Sequence, residues 1–455
     1  MMTEKFCATL PDFISARESF LNGTRTPRDY LEECVANIEA AETTVRAFVH
    51  LDIAKARIAA DASTERYRQG APLSPIDGMP IGVKDIINTL DMPTRMNNAY
   101  FRDNVPRADA ACVRAVREGG GVLLGKTVTT EFAIGRSGPT VNPHNTKHTP
   151  GGSSSGAAAG GAAGMFPAGF GTQTQGSIIR PASFNGIVGF KPTLGALSTD
   201  GVHPLSRTHD HLGVLGQNVD TVWTLARWTG EIAPGQDTDG LGGAADAVLR
   251  SVKPARLALP RTQGLAELDE ESAAAFERKL DDLRAAGLTV VESGDDPFLA
   301  DLTRRLDNIV NISIRMVAFD MRWPYRSYLD QAPELMGPRL HELAGLGREV
   351  TLDEYRMMRA ERADLCRRVL ELGRSYDAVV LPAASGPAPE GFEYTGARTL
   401  LLYWSFLGFP AFSLPLMTVR DMPFGLQLAG FRNRDHALAR NAKWMAREIS
   451  EHPSS

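Results

Sequence analysis

Over roughly the first 70 positions, apolar residues recur every three to four places, the period of a helix with one buried face. In Arg25-Thr-Pro-Arg-Asp-Tyr-Leu-Glu-Glu-Cys-Val-Ala-Asn-Ile-Glu, Leu31, Val35 and Ile38 fall on one stripe, and Thr26–Pro27 is an entry signal. Ala54–Tyr67 repeats the amphipathic pattern. From residue 76 the texture changes. Short apolar runs stand between glycine turns and helices: Ile81–Ile87, Gly121–Gly125, Gly186–Phe190, Arg256–Leu259, Leu288–Val291, Ala378–Leu381, Ala411–Leu414 and Gly425–Leu428. Strands bracketed by helices predict an α/β sandwich around a mixed sheet. Residues 265–375 are richer in charge and mostly helical, with Glu267–Ala286 and Leu352–Leu372 the clearest segments. Pro382–Arg398, with its prolines and glycines, reads as an irregular loop. The expected organisation is one unit over 1–455: an N-terminal helical region at 10–70, a core at 76–220, a helical insertion at 265–375 and a return to the core at 376–450.

Composition narrows the classes. The 455 residues are 43% hydrophobic and 23% charged, a globular balance. Net charge is 49 − 54 = −5, so there is no broad basic field and a nucleic-acid partner is not expected. The four cysteines, Cys7, Cys34, Cys112 and Cys366, lie far apart. They suit reduced cytoplasmic thiols better than a disulfide framework or a zinc ribbon. Met1–Leu21 carries charges and no apolar run, so a signal peptide is not expected. The longest uncharged run, Thr149–Ile179, holds nine glycines, and a membrane span is not expected there.

Glycine is the anomaly. Of 43 glycines, 21 lie within Gly119–Gly216, which points to close backbone approach in that stretch. Three pieces in and before it carry the candidate chemistry. In Gly78-Met-Pro-Ile-Gly-Val-Lys84-Asp85-Ile86, one lysine sits in an apolar strand-like run. It is either a strand-end lysine reaching water or a desolvated lysine able to act as a neutral base. Thr149-Pro-Gly-Gly-Ser153-Ser154-Ser155-Gly156-Ala-Ala-Ala-Gly is a glycine–serine turn running into a helix of tiny side chains. It lacks the Lys-Ser/Thr ending of a nucleotide-binding loop. In Gly171-Thr-Gln-Thr-Gln-Gly176-Ser177-Ile-Ile-Arg180-Pro181-Ala-Ser183, a serine sits in a tight turn that can aim backbone N–H groups at one spot. His144, His148, His203, His209 and His211 are scattered outside these motifs, which makes a histidine-based triad the weaker reading.

Taken in order, Gly-Val-Lys-Asp, Thr-Glu131-Phe132-Ala, Asn142-Pro, Pro-Gly-Gly-Ser-Ser-Ser-Gly, Gly-Ser-Ile with Arg-Pro-Ala-Ser, and Gly-Phe-Lys-Pro-Thr193 resemble the amidase signature family. The likeness runs from about Leu10 to Leu215 and resumes at Leu407-Gly-Phe-Pro-Ala-Phe-Ser-Leu-Pro and Met422-Pro-Phe-Gly-Leu-Gln-Leu-Ala-Gly. The resemblance implies an α/β/α sandwich with a central mixed sheet and an amidohydrolase with a Ser–cis-Ser–Lys triad. Ser177 matches the nucleophile, Ser153 the bridging serine, Lys84 the base and Ser154 a supporting serine. Backbone N–H groups of Thr174, Gln175, Gly176 and Ser177 are the expected oxyanion donors. No metal or organic cofactor is implied. The implied partner is a small amide, anilide, hydrazide or urea-like compound, with no nucleic acid or membrane, and relatives that are often homodimers leave that state open. An alternative is the amidase component of a tRNA-dependent amidotransferase, its A subunit.

Three departures stand out. Where relatives read Thr-Asp-Thr-Gly-Gly-Ser-Ile-Arg, this chain has Gln173 for the aspartate, Gln175 for a glycine and Ile179 for the arginine, with Arg180 one place later. Losing both ionic residues together avoids an uncompensated buried charge. For the substrate side, Gly152, Ile134, Arg136, Met316, Phe319, Tyr394, Tyr403, Trp404 and Phe406 are candidates, against ordinary core for the apolar ones and an exposed turn for Arg136. The run Tyr403-Trp404-Ser-Phe406 predicts aryl or alkyl amides ahead of glutamine.

Overall fold

The computed structural model describes residues 5–242 and 248–449. Its organising element is a sheet of eleven strands. In chain order these are β1 (Phe48–Leu51), β2 (Pro80–Lys84), β3 (Val122–Thr127), β4 (Ala168–Gln173), β5 (Val188–Lys191), β6 (His211–Gly216), β7 (Arg256–Leu259), β8 (Thr289–Glu292), β9 (Ala378–Pro382), β10 (Ala411–Val419) and β11 (Met422–Ala429). Their spatial order is β1-β3-β2-β4-β6-β5-β10-β11-β9-β7-β8. β2 runs parallel to β3 and β4, and β7 runs parallel to β8 and β9. The remaining pairs are antiparallel, so the sheet is mixed.

Every position of β2, β3, β4 and β6 is buried, which requires cover on both faces. Helices Ser155–Ala162 and Ile179–Asn185 pack on each other and on the sheet. Helix Val219–Ile232 also packs on the sheet and is flanked by helices Ala111–Glu118 and Asp435–Glu448. The fold is the α/β arrangement expected from the alternation of apolar runs and helices.

Local rules account for most elements. Thr26 and Asp29 close a capping box ahead of helix Pro27–Val45, with Pro27 in its first turn. Thr351 and Glu354 do the same for Leu352–Leu372. The tiny-residue helix is needed for contact: a Cβ on Gly156 would sit 2.1 Å from the Ala47 carbonyl oxygen and 2.4 Å from the Val128 nitrogen. Any larger residue would push this helix away from the backbone that follows β3.

Three strands escape the pattern. β1 lies within the stretch expected to be helical, and its four residues pair with β3 at the sheet edge. β4 (Ala-Gly-Phe-Gly-Thr-Gln) and β6 (His-Leu-Gly-Val-Leu-Gly) have little strand propensity of their own. They are strands because each is flanked on both sides by others. The region 265–375 is mostly helical, as expected, and also supplies β8 to the sheet edge. Pro382 closes β9, and residues 383–398 form no helix or strand of the sheet.

One consequence matters for the site. Because β2, β3 and β4 are mutually parallel along the sheet, their carboxyl ends emerge together, and antiparallel β6 begins at the same edge. Such edges are where open α/β sheets gather functional loops.

Candidate active site

Lys84 is the last residue of β2 and has no solvent exposure. Its Nζ lies 2.7 Å from Ser153 Oγ and 2.8 Å from Thr172 Oγ1 on neighbouring β4. The snorkelling alternative is thereby excluded. Burial holds the amine well below the ordinary lysine range, and the negative charge of Asp210 opposes that shift without overcoming it.

Ser153 follows a cis peptide from Gly152. Gly151 precedes it with φ +77°, where a Cβ would also sit 3.1 Å from Pro181 Cα, so glycine is required. The next serine braces the turn. Ser154 Oγ donates to the Thr172 carbonyl and accepts from the Thr172 N–H, both at 3.3 Å, while its own N–H donates to the Ser177 carbonyl at 3.3 Å. Ser155 Oγ donates to the Val128 carbonyl at 3.3 Å.

Ser177 lies just beyond β4, on the turn before helix Ile179–Asn185. Ser177 and Ser153 line the same cavity of about 540 Å³, with Thr174, Gln175 and Gly176. Lys84 and Ser153 are in hydrogen-bond contact, whereas Ser177 Oγ makes no hydrogen bond among the described residues. The second link of the expected relay is therefore not closed in this geometry, and catalytic hydrogen bonds commonly tighten only in the substrate complex. The N–H groups of Gln175, Gly176 and Ser177 donate to no described residue, which leaves them available to an oxygen in the cavity.

The altered motif has a physical explanation. Gln173 Oε1 accepts the N–H groups of Ile178 (2.7 Å) and Ile179 (3.0 Å), and its Nε2 donates to Ser405 Oγ at 2.7 Å. A neutral amide thus satisfies the start of the helix, and buried Ile179 needs no ionic partner. Gln175 turns its side chain outward from the turn: Nε2 donates to Ser313 Oγ and Oε1 accepts from Arg398 Nη1, both at 3.1 Å.

Asp210, immediately before β6, was not legible as a site residue. Its carboxylate accepts the Thr174 hydroxyl at 2.7 Å and the N–H groups of Leu205 and Ser206 at 2.8 and 2.9 Å. Burial pushes its pKa up to about 6 despite those bonds. Thr172 was also missed. Only strand pairing brings either residue to Lys84, so no local signal marks them.

The substrate-side candidates divide. Ile134 and Tyr394 line the cavity. Arg136 lines it too, but its guanidinium is held by buried Glu131 (2.9 Å) and the Leu335 carbonyl (2.9 Å). Gly152 sits behind the lining, and its carbonyl accepts Arg180 Nη2 at 2.6 Å. Tyr403, Trp404 and Phe406 are corrected to core positions. All three are buried in helix Thr399–Leu407 and none lines the cavity. Trp404 Nε1 donates to the Gly430 carbonyl at 2.8 Å, Tyr403 reaches Asp307, and Phe406 packs beside His209. Met316 and Phe319 likewise lie outside the lining.

Set beside known proteins, the chain matches the Amidase family model over residues 29–439. It belongs to the amidase family. It is accordingly an enzyme, a hydrolase acting on C–N bonds. It superposes on a crystal structure of an amidase with TM-score 0.84 and 32% identity, covering 95% of this chain and 99% of that one. The A subunit of glutamyl-tRNA(Gln) amidotransferase from Chloroflexus aurantiacus is 30% identical over 91% of this amidase and 92% of its own length. The corresponding protein of Chloroflexus aggregans is 35% identical over 61% of the chain and 59% of its own length.

These relatives overturn the expectation of no nucleic-acid partner, since proteins so similar are subunits of a transferase named for a tRNA. The physical reason is that whole-chain net charge is a poor guide to a local surface or to contacts made through other subunits. No helix among the described residues is long and apolar enough to cross a membrane.

Proposed function

We propose that this amidase cleaves a small carboxamide through an acyl-enzyme on Ser177. The observation that carries the reading is Lys84 Nζ, fully buried and 2.7 Å from Ser153 Oγ, with Ser153 and Ser177 lining one cavity. A serine hydroxyl needs a base to become nucleophilic near neutral pH. Neutral Lys84 takes the Ser153 proton as Ser153 takes the Ser177 proton, and Ser177 Oγ attacks the carbonyl carbon. The N–H groups at Gln175–Ser177 receive the oxyanion. The proton returns through Ser153 to the departing amine as the C–N bond breaks. Water then enters, gives its proton to the same relay and releases the acid. Burial serves the mechanism directly, because an exposed lysine would be protonated and unable to accept. The cytoplasm is the compartment we assign, on the free thiols at Cys34, Cys112 and Cys366.

The test is covalent trapping with a slow amide or ester, followed by peptide mapping. The acyl group is expected on Ser177, and label on any other residue redirects the scheme.

A second reading is favoured by the relatives: the amidase component of an amidotransferase, working with partner subunits. Copurification of a partner from the native host, with glutamine as the preferred amide, would establish it. A chain that purifies alone and prefers other amides would dismiss it.

A further inference from the structure

The turn Thr174–Ser177 is not held by its own strand alone. Its first two side chains are bonded to partners remote in sequence. Gln175 Nε2 donates to Ser313 Oγ at 3.1 Å. Thr174 Oγ1 donates to Asp210 Oδ1 at 2.7 Å. Asp210 Oδ2 accepts the N–H groups of Leu205 and Ser206 at 2.8 and 2.9 Å. Ser206 Oγ donates onward to Asp320 Oδ2 at 2.6 Å, and Thr208 Oγ1 does the same at 2.6 Å. The Tyr355 hydroxyl completes the line on Asp320 Oδ1 at 2.7 Å.

Both lines end on one helix, Ile309–Asp320, in the helical region 265–375. Ser313 and Asp320 are two helical turns apart, so they share a face and stand about 10 Å from each other. Met316, between them, has no solvent exposure, so the helix is packed where it makes these bonds. The loop between Asp210 and Asp320 is cross-braced. His209 Nδ1 lies 2.9 Å from both the Ser206 and the Thr208 hydroxyl oxygens. Both hydroxyl protons are committed to Asp320, so Nδ1 carries the imidazole proton and donates it to the loop.

Ordinary packing would not need carboxylates here. Taking Asp210 and Asp320 partly out of water is costly, and the cost is recovered through the hydroxyls and N–H groups that they organise. Bonds to a carboxylate are short and directional, so the first fixes the Thr174 side chain and with it the start of the turn. The stakes are high at this place. Misplacing a reacting group by about 1 Å costs on the order of a hundredfold in rate.

We propose that Asp210 and Asp320 are positioning residues for the oxyanion turn, with helix Ile309–Asp320 setting Thr174 through the Asp320–Ser206–Asp210 line and Gln175 through Ser313. The inference rests on the Ser177 hydrolase reading, with its donors at Gln175–Ser177. Hexanamide is the substrate for the test. Pentylboronic acid, which sets a tetrahedral boron where the attacked carbonyl carbon would stand, is the transition-state probe. Thr174→Val removes the hydroxyl at nearly constant shape. It should lower kcat by about ten- to a hundredfold with KM within about twofold of wild type, and weaken the boronate by the same factor as kcat. Thr174→Ser should return both to within about threefold of wild type. Asp320→Asn keeps the size but loses one accepting oxygen, and its site is outside the cavity lining. It should show the same split at about three- to tenfold. Wild-type kcat in Thr174→Val or in Asp320→Asn overturns the inference, as does a loss confined to KM with boronate affinity unchanged. Should Thr174→Val fail to fold, Asp320→Asn decides alone. Wild-type kcat in Thr174→Val with the acyl label on Ser177 sinks the positioning line and leaves the hydrolase reading standing. Hydrolysis of hexanamide that survives Ser177→Ala but falls with Thr174→Val does the reverse.

Discussion

The floor and the wall of the cavity are built by different means. The floor comes from loops at one edge of the sheet, Ser153–Ser155 and Thr174–Ser177, and it is held largely by backbone contacts. Ser154 binds the Thr172 backbone twice, and Gln173 accepts two successive N–H groups. The wall comes from segments far along the chain, Pro338–Arg339 and Glu393–Thr399, and it meets the floor through side chains such as Arg180, Arg398 and Gln175. The contrast teaches that the floor is fixed by side chains that brace backbone, while the wall is joined to it by side chains that can change without disturbing it.

The largest effect should come from breaking the floor. Ser177→Ala and Lys84→Ala are each expected to lower kcat/KM by about four orders of magnitude, as for catalytic units elsewhere, with an unchanged circular dichroism spectrum. A pure, folded variant within tenfold of wild type would remove that residue from the mechanism.

Next is the neutral brace. Gln173→Glu places a buried carboxylate where Ile179 offers no counter-charge, and about 3 kcal/mol of stability should be lost. Denaturant titration reads this, and pairing it with Ile179→Arg should recover part of the loss. An undiminished midpoint for the single variant would show that the floor does not depend on a neutral network.

The pH profile tests the electrostatics. Lys84 must be neutral, so kcat/KM should fall as pH drops through its lowered pKa. Asp210 in its charged form raises that pKa, so Asp210→Asn should move the acid limb to lower pH. A limb that stays in place, or moves up, would mean that Asp210 does not act on the base. The stability sign is separate. A buried amine of lowered pKa disfavours the folded state increasingly as pH falls below the unfolded lysine value, until the folded value is passed. Lys84→Met should therefore gain stability relative to wild type as pH is lowered from about 10 to about 6, seen as a rising difference in Tm.

The smallest effect belongs to the helix behind the wall. Trp404→Phe loses one buried hydrogen bond, to Gly430, and should cost about 1 kcal/mol in denaturant midpoint with the ranking of amides retained. A changed ranking would return Trp404 to the substrate side.

The fold class and most strands were legible because apolar runs and turn residues carry local information. The strands missed were those without it. Gly169 and Gly171 in β4, and Gly213 in β6, leave no propensity to read, yet neighbouring strands supply the pairing. The aromatic run at 403–406 misled for a related reason. Aromatic residues suit a pocket and a core equally well, and only packing shows that Trp404 faces Gly430 rather than the cavity.

By itself, the chain determined the candidate residue types and their family order: Lys84, the Ser153 turn and the Ser177 turn stand in glycine-framed segments. The tertiary structure decided their state and their surroundings. It buried Lys84, brought Thr172 and Asp210 to it from β4 and the start of β6, and turned Gln175 from an odd replacement into the hold on Arg398. Those outcomes depend on desolvation and on contacts between segments up to 223 positions apart. Neither is encoded in any local pattern.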